Sequence, residues 1–310
     1  MPEISNSMII FNGKEISEKI LLDLKEKIKE EKAAPKLAVI SVGEDLASRL
    51  FIKNKKRAAR RIGIKIIQYK FKEKSKEREI IQKIKGLNAD LSVNGIVAQL
   101  PLPKGFNVEK IISAIEPKKD VDGFHKANRR LLKKGTPYFF PVLPSAILVG
   151  LRRAKKSLKD PEGPRPLSIR KLTHGIESGA YGAGKKIIAL ANSDIFGQTL
   201  KTFLKREEIK TSYFLRKRFL SSKIKSKLKS ADIIITVCGC PHLIQGNMLK
   251  KGVILIDGGI AVLSGGRVVG DVDKKSVGEK ASFLTPVPGG IGPLTIALLL
   301  KNVFYATKRS

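Results

Sequence analysis

Tryptophan is absent from this 310-residue chain, and there are two cysteines, Cys238 and Cys240. Two cysteines one residue apart cannot form a disulfide framework, so a reducing, cytoplasmic setting is expected. Nor is a metal site expected. Cys238-Gly-Cys240 has no partner ligands near it, and small residues crowding a strand end are the commoner reading of such a pair. No apolar run approaches the roughly 18 residues of a membrane helix. Met1 to Ser7 is polar and lacks the basic start and apolar core of a signal peptide. Membrane is therefore not an expected partner. Hydrophobic residues still make up 42% of the sequence, and 310 residues suggest two domains with cores of their own.

Acidic residues are scarce beside basic ones. The chain has 28 Asp and Glu against 61 Lys and Arg, a formal charge of +33. Such an excess can mark nucleic-acid binding, because Lys and Arg displace counterions from phosphates. Here the lysines are spread from Lys14 to Lys308, and aromatics are not interleaved with them as a stacking platform requires. The charge is read as a lysine-rich bias on solvated faces, with steering of anionic small molecules as an added effect. Nucleic acid is not an expected partner.

What the chain does have is a constrained loop, Thr285-Pro-Val-Pro-Gly-Gly-Ile-Gly-Pro-Leu-Thr295, between a short apolar run and a long helical pattern. Prolines fix φ, while Gly289, Gly290 and Gly292 admit conformations closed to other residues. Bare backbone there lets a flat ligand lie against peptide groups. A rigid strand-to-helix corner without a ligand is an equal reading of the loop by itself.

The first half alternates strands and helices. Helical spacing runs from Glu15 to Glu31, strand pattern from Lys36 to Val42, helix from Leu46 to Ile62, strand from Ile64 to Tyr69, helix from Lys76 to Leu87, and strand from Gly95 to Leu100. That alternation predicts a doubly wound parallel sheet, whose ligands sit beyond the C-terminal strand ends. On the Leu46–Ile62 helix, Ala47, Phe51, Ala58 and Ile62 share one apolar face, and Lys55 lies on it; Lys53, Lys56 and Arg60 point away. A buried lysine loses basicity and can shuttle protons. The commoner use of such a lysine is to snorkel over the core. Gln99 stands at a strand end. Asp120 and Asp122 flank a turn closed by Gly123, which leaves one carboxylate available to grip an amide-like ring edge.

Four blocks occur together and in order: Ser48-Arg-Leu-Phe-Ile-Lys-Asn-Lys55, Gln99-Leu-Pro-Leu-Pro103, Lys119-Asp-Val-Asp-Gly-Phe124 and the Thr285–Thr295 loop. With them the chain resembles bifunctional methylenetetrahydrofolate dehydrogenase/methenyltetrahydrofolate cyclohydrolase over nearly its whole length. The resemblance implies oxidation of 5,10-methylene-tetrahydrofolate with NADP, then hydrolysis to 10-formyl-tetrahydrofolate, a donor for purine biosynthesis. Lys55 would be the general acid/base, Gln99 its hydrogen-bond partner, and Asp122 the acceptor for the pterin ring. Ser48, Phe51 and the Pro288-Gly289-Gly290 backbone would complete the folate site. A homodimer is implied, as are two doubly wound α/β domains with a cleft between them. Residues 1–144, completed by 285–310, would form the catalytic domain and residues 145–284 the Rossmann-like NAD(P)-binding domain.

The chain departs from the family's pattern at several points. Phe51 replaces the usual Tyr, so stacking survives without the phenol hydroxyl. Pro141-Val-Leu-Pro144 and Asn128-Arg-Arg130 replace the usual Pro-Cys-Thr-Pro and Asn-x-Gly. In the second half, a strand from Lys186 to Leu190 turns through Ala191-Asn192-Ser193 into a helix whose free N–H groups suit a phosphate. The family has Gly-Arg-Ser there, so the arginine that would pair with the extra phosphate of NADP is missing. Arg216, Lys217 and Arg218 are candidate replacements, and NAD is the alternative cofactor. Strands are also expected at Ala231–Val237 and Val253–Asp257, followed by Gly258-Gly-Ile260, where the resemblance places a backbone contact to the cofactor at Ile260. Asp271-Val-Asp273 reads as the end of a surface turn. The Pro- and Gly-rich stretch from Lys159 to Gly184, with His174, reads as a solvated loop.

Overall fold

The computed structural model describes residues 8–159, 184–219 and 222–309. The 160–183 stretch of the Lys159–Gly184 loop, with His174, lies outside them. From the N-terminus, β1 (Ile9–Ile10) leads into α1 (Gly13–Glu30). Then β2 (Lys36–Val42), α2 (Leu46–Ile62), β3 (Lys65–Phe71), α3 (Glu77–Ala89) and β4 (Gly95–Ala98) alternate. Short helices α4 (Val108–Ser113) and α5 (Lys126–Lys134) precede the long α6 (Val142–Lys159). The remainder contains β5 (Ile187–Ala191), the helix Asp194–Arg206, β6 (Thr211–Leu215), the helix Ser222–Lys229, β7 (Ile233–Val237) and β8 (Val253–Asp257). A short antiparallel pair, β9 (Ala261–Val262) and β10 (Val268–Val269), comes next, followed by β11 (Ala281–Thr285) and the closing helix Ile291–Ala306.

The described residues form two compact units, one of residues 16–142 and 295–309, the other of residues 8–15, 143–159, 184–219 and 222–294. In the first, three parallel strands lie in the order β3-β2-β4. Leu37, Ala38, Val39 and Ile40 of β2 are fully buried, as expected for a strand covered on both faces. A bridge from Ile96 to Asp120 carries the Lys119–Asp122 segment along the edge of β4. In the second unit, six parallel strands lie in the order β1-β11-β8-β7-β5-β6. Both units are the predicted doubly wound α/β type.

Three expectations are corrected. The divisions expected at 144/145 and 284/285 fall elsewhere. Residues 8–15 and 285–294 belong with the six-stranded sheet, because Ile9 and Ile10 pair with Phe283 and Leu284 and so add a strand at its edge. Asp271 is not at a surface turn: it is fully buried and accepts hydrogen bonds from Thr236, Cys238 and Cys240. On α2, Ile52 and Ala59 join the buried face, while Lys56 turns back to donate to Gln68 Oε1 at 2.8 Å.

Candidate active site

Helix α2 starts at Asp45, whose carboxylate accepts from the Ser48 N–H at 2.7 Å, and ends at Gly63 in the left-handed region. Between these caps, Ile52, Lys55, Ala59 and Ile62 form the face turned into the unit, and Lys55 is only 7% exposed. Its ammonium donates to Gln99 Oε1 at 2.8 Å and stands 5.8 Å from the centre of the half-buried Phe51 ring. The Gln99 amide is oriented in turn, because its Nε2 donates to the Leu100 carbonyl at 2.8 Å and leaves the oxygen facing Lys55. Gln99 comes directly after β4, where its own N–H donates to Ile40. Ser48 Oγ reaches the Leu100 carbonyl at 3.5 Å.

Asp122 completes this group. Burial pushes the Lys55 amine below its ordinary range, and the negative charge of Asp122 opposes that shift. Burial pushes the Asp122 carboxyl up to about 6; Lys55 pulls it down and Asp120 pushes it further up. Among the described residues, none donates a hydrogen bond to the Asp122 carboxylate. Asp120 is occupied instead. Its Oδ2 accepts from the His125 N–H at 2.7 Å and from Asn128 Nδ2 at 2.8 Å. Gly123, at φ +79°, closes the turn, and a Cβ there would lie 2.7 Å from Pro141. The two acids thus divide the work, one holding the turn and the other keeping its oxygens unbonded.

Several supporting residues carry little sequence signal. Lys119 Nζ caps α3 by donating to the carbonyls of Leu87, Asn88 and Asp90. Asn128 is fully buried and also ties Pro117 and Tyr138 to the same turn. Asn302 Nδ2 donates to the Val121 carbonyl at 2.8 Å. These are long-range or unpatterned contacts. Only the Asp-Val-Asp-Gly spelling hints that a turn needs holding.

In the other unit, the loop after β11 is rigid for the reasons its residues suggest. Gly289 sits at φ +107°, and the Gly290 N–H donates to the Pro286 carbonyl at 2.7 Å. Pro288 is exposed and Gly290 buried. The start of α1 locks the loop: the Lys14 N–H donates to Gly289, and a Cβ on Gly13 would lie 1.9 Å from the Gly290 oxygen.

The predicted cofactor residues line the C-terminal edge of the six-stranded sheet. Ala191 is fully buried at the end of β5 and offers only backbone, Asn192 is exposed, and Ser193 caps the helix Asp194–Arg206 by accepting from the Phe196 N–H at 3.3 Å. Gly197 lets that helix lie flush on β6, since a Cβ would meet the Tyr213 ring at 2.4 Å. This matches the role of the last glycine in a dinucleotide fingerprint. Arg216 donates to the Cys238 carbonyl at 3.2 Å, leaving Lys217 and Arg218 exposed beside Asp194 and Tyr213. Ile260 is half-buried, and its carbonyl lies close to Gly239. A capped helix start with unpaired N–H groups and nearby guanidinium and ammonium groups fits a phosphorylated dinucleotide.

Comparison with known proteins covers nearly the whole chain. Residues 11–122 match the catalytic domain of tetrahydrofolate dehydrogenase/cyclohydrolase, and residues 165–310 match its NAD(P)-binding domain. The chain belongs to the tetrahydrofolate dehydrogenase/cyclohydrolase family. The bifunctional protein FolD of Nautilia profundicola is 37% identical over 304 residues, covering 97% of this chain and 98% of that protein. The same protein of Acetivibrio thermocellus is 38% identical over 302 residues, 96% of each. Among solved structures, the bifunctional FolD enzyme of Campylobacter jejuni is 35% identical with a TM-score of 0.76, over 98% of this chain and 99% of that one. The Trypanosoma brucei enzyme, complexed with NADP cofactor and an inhibitor, is 26% identical with a TM-score of 0.81, over 100% and 99%.

Proposed function

We propose that this member of the family oxidises 5,10-methylene-tetrahydrofolate to the 5,10-methenyl form with NADP+ and then hydrolyses that product to 10-formyl-tetrahydrofolate. The observation that carries this reading is the buried Lys55, bonded to an oriented Gln99 beside a carboxylate left unbonded. Lys55 is the general acid/base of hydration and ring opening: burial favours its neutral form, and a neutral amine can take a proton from water. Gln99 accepts from the amine and so holds it in place in either protonation state. Asp122 accepts N–H donors of the pterin. Ser48, Phe51 and the backbone of Pro288, Gly289 and Gly290 are the remaining folate contacts.

When bound, NADP+ accepts the hydride that leaves the methylene carbon. The chain's part is to bind and orient the dinucleotide, through Ala191, Asn192, Ser193 and Ile260. Lys217 and Arg218 supply the positive charge for its 2′-phosphate that Asn192 cannot. Replacing both by Ala should weaken NADP+ binding far more than NAD+ binding; equal losses would remove them from that role. A homodimer, a cytoplasmic location and service to purine biosynthesis are part of the same proposal, supported by family membership. No helix among the described residues is long and apolar enough to cross a membrane.

The deciding experiment follows methenyl formation spectroscopically from methylene-tetrahydrofolate with NADP+ and with NAD+. Product with neither cofactor would remove the dehydrogenase activity. A second reading, mainly cyclohydrolase with a weak or NAD-linked dehydrogenase, is favoured by Asn192 in place of the family arginine and by Phe51 in place of tyrosine.

A further inference from the structure

At the C-terminal edge of the six-stranded sheet, two carboxylates are buried side by side. Asp257 ends β8 at 2% exposure, and Asp271, after β10, is fully buried. Neither has a cation partner among the described residues. Each oxygen instead takes a donor from a loop. Asp271 Oδ2 accepts from Thr236 Oγ1 at 2.7 Å and from the Cys238 N–H at 2.6 Å, and its Oδ1 accepts from the Cys240 N–H at 2.7 Å. Asp257 Oδ1 accepts from the Gly259 N–H at 2.9 Å and the Asp271 N–H at 3.3 Å, and its Oδ2 from the Val272 N–H at 2.9 Å. The fit leaves no slack. A Cβ on Gly259 would lie 2.1 Å from Asp271 Cγ, and one on Gly270 would lie 2.0 Å from Asp257 Oδ2.

One of the loops gathered in this way leads to Ile260, the proposed cofactor contact, and the other, 236–240, lies against the Ile260 carbonyl at Gly239. Asp271 grips 236–240, and Asp257 grips the turn that leads to Ile260. The Asp257 N–H also donates to Thr285 Oγ1 at 2.7 Å, at the head of the glycine loop. We propose that Asp257 and Asp271 are positioning residues for the dinucleotide, a carboxylate pair sharing one proton that sets the peptide groups of 238–240 and 258–260. The proposal rests on the NAD(P)-binding reading of this unit.

The proton is required by charge. Two adjacent ionised carboxylates without a cation repel each other in a medium that screens poorly. Burial and the neighbouring Asp271 push the Asp257 carboxyl up to about 8, so it keeps its proton at neutral pH. Burial pushes the Asp271 carboxyl up as well, but the Thr236 hydroxyl and the N–H groups of 238–240 pull it back down, so Asp271 is the one that ionises. Five other titratable or charged groups surround the pair. Cys238 has its thiol pushed up to about 12 by burial and by Asp271, and Cys240 lies beyond Gly239. Arg216 is engaged with the Cys238 carbonyl. Asp273 is occupied by the Lys275 N–H. His242 meets the pair's loop only through its own backbone N–H, and it is exposed.

The test is calorimetric binding of NADP+ to the full-length protein from pH 6.5 to 9. Wild-type affinity should hold to about pH 8 and fall above it, as the shared proton leaves. Asp257→Asn, which cannot ionise, should bind more weakly at neutral pH and lose that alkaline fall. Asp271→Asn should weaken binding about tenfold or more. Thr236→Val, which keeps the β7 side-chain shape and removes one donor, is the variant that still folds if the others do not; it should weaken binding at least about threefold. Wild-type affinity in Thr236→Val, or an unchanged alkaline fall in Asp257→Asn, would overturn the role of the pair alone. A wild-type protein that binds neither NADP+ nor NAD+ would overturn the NAD(P) reading beneath it.

Discussion

Lys55 shows how much a single side chain depends on where its helix points it. The chain has 61 Lys and Arg. Lys53, two residues from Lys55, is exposed, whereas Lys55 is buried and bonded to Gln99. Replacing it by Met keeps most of its length and removes the amine. Lys55→Met should lower cyclohydrolase kcat by about 10²–10⁴-fold, the usual worth of a general acid/base. Folate binding, measured by equilibrium titration, should change little; retained hydrolysis would remove the proposed role. In its proposed role, Asp122 should set the acid side of the pH profile. Its carboxyl sits at about 6, above the ordinary carboxylate range, so it gains a proton as the pH falls through that value. A protonated acid no longer accepts two N–H donors. kcat/KM should therefore fall on the acid side with a midpoint near pH 6, and Asp122→Asn should flatten that limb while raising KM.

The elements were legible in the sequence to different degrees. The β2 and α2 boundaries match the hydrophobic pattern residue for residue, because a fully buried strand and a capped helix both carry dense local signals. β1 was missed: two isoleucines next to a turn give too short a pattern, and their partner, β11, is more than 270 residues away in sequence. The candidate site divides in the same way. Lys55, Gln99 and Asp122 stand in blocks that can be read along the chain, and the fold brings those three together. Asn128, Asn302 and Asp271 act through tertiary contacts that no local pattern encodes, so their places were visible only in three dimensions. The junction of α1 with the glycine loop is another such contact. Gly13→Ala puts a methyl group 1.9 Å from the Gly290 oxygen. Overpacking of this kind costs about 1–3 kcal/mol, enough to lower Tm by several degrees. Differential scanning calorimetry should show that drop, accompanied by a raised folate KM as the loop is displaced. An unshifted Tm would mean the backbone yields more easily than the packing suggests.

For the molecule as a whole, the charge of +33 makes a kinetic statement about anionic substrates. Folates and NADP+ carry carboxylates or phosphates, and a strongly positive surface speeds their encounter until salt screens it. kcat/KM should decline as ionic strength rises, while kcat stays level. A flat kcat/KM would leave the lysines with a solubility role alone.

The division into units also has a bearing on biosynthesis. The unit containing Lys55 closes only when residues 295–309 are present, and the six-stranded unit needs both residues 8–15 and residues up to 294. A ribosome therefore releases no finished half early. Ile9 and Ile10 wait, already translated, for strand partners that emerge almost at the end, and Val121 waits longer still for Asn302. Neither unit can be recovered by cutting the chain once, and a nascent polypeptide of this family spends nearly its whole time on the ribosome with both cores open.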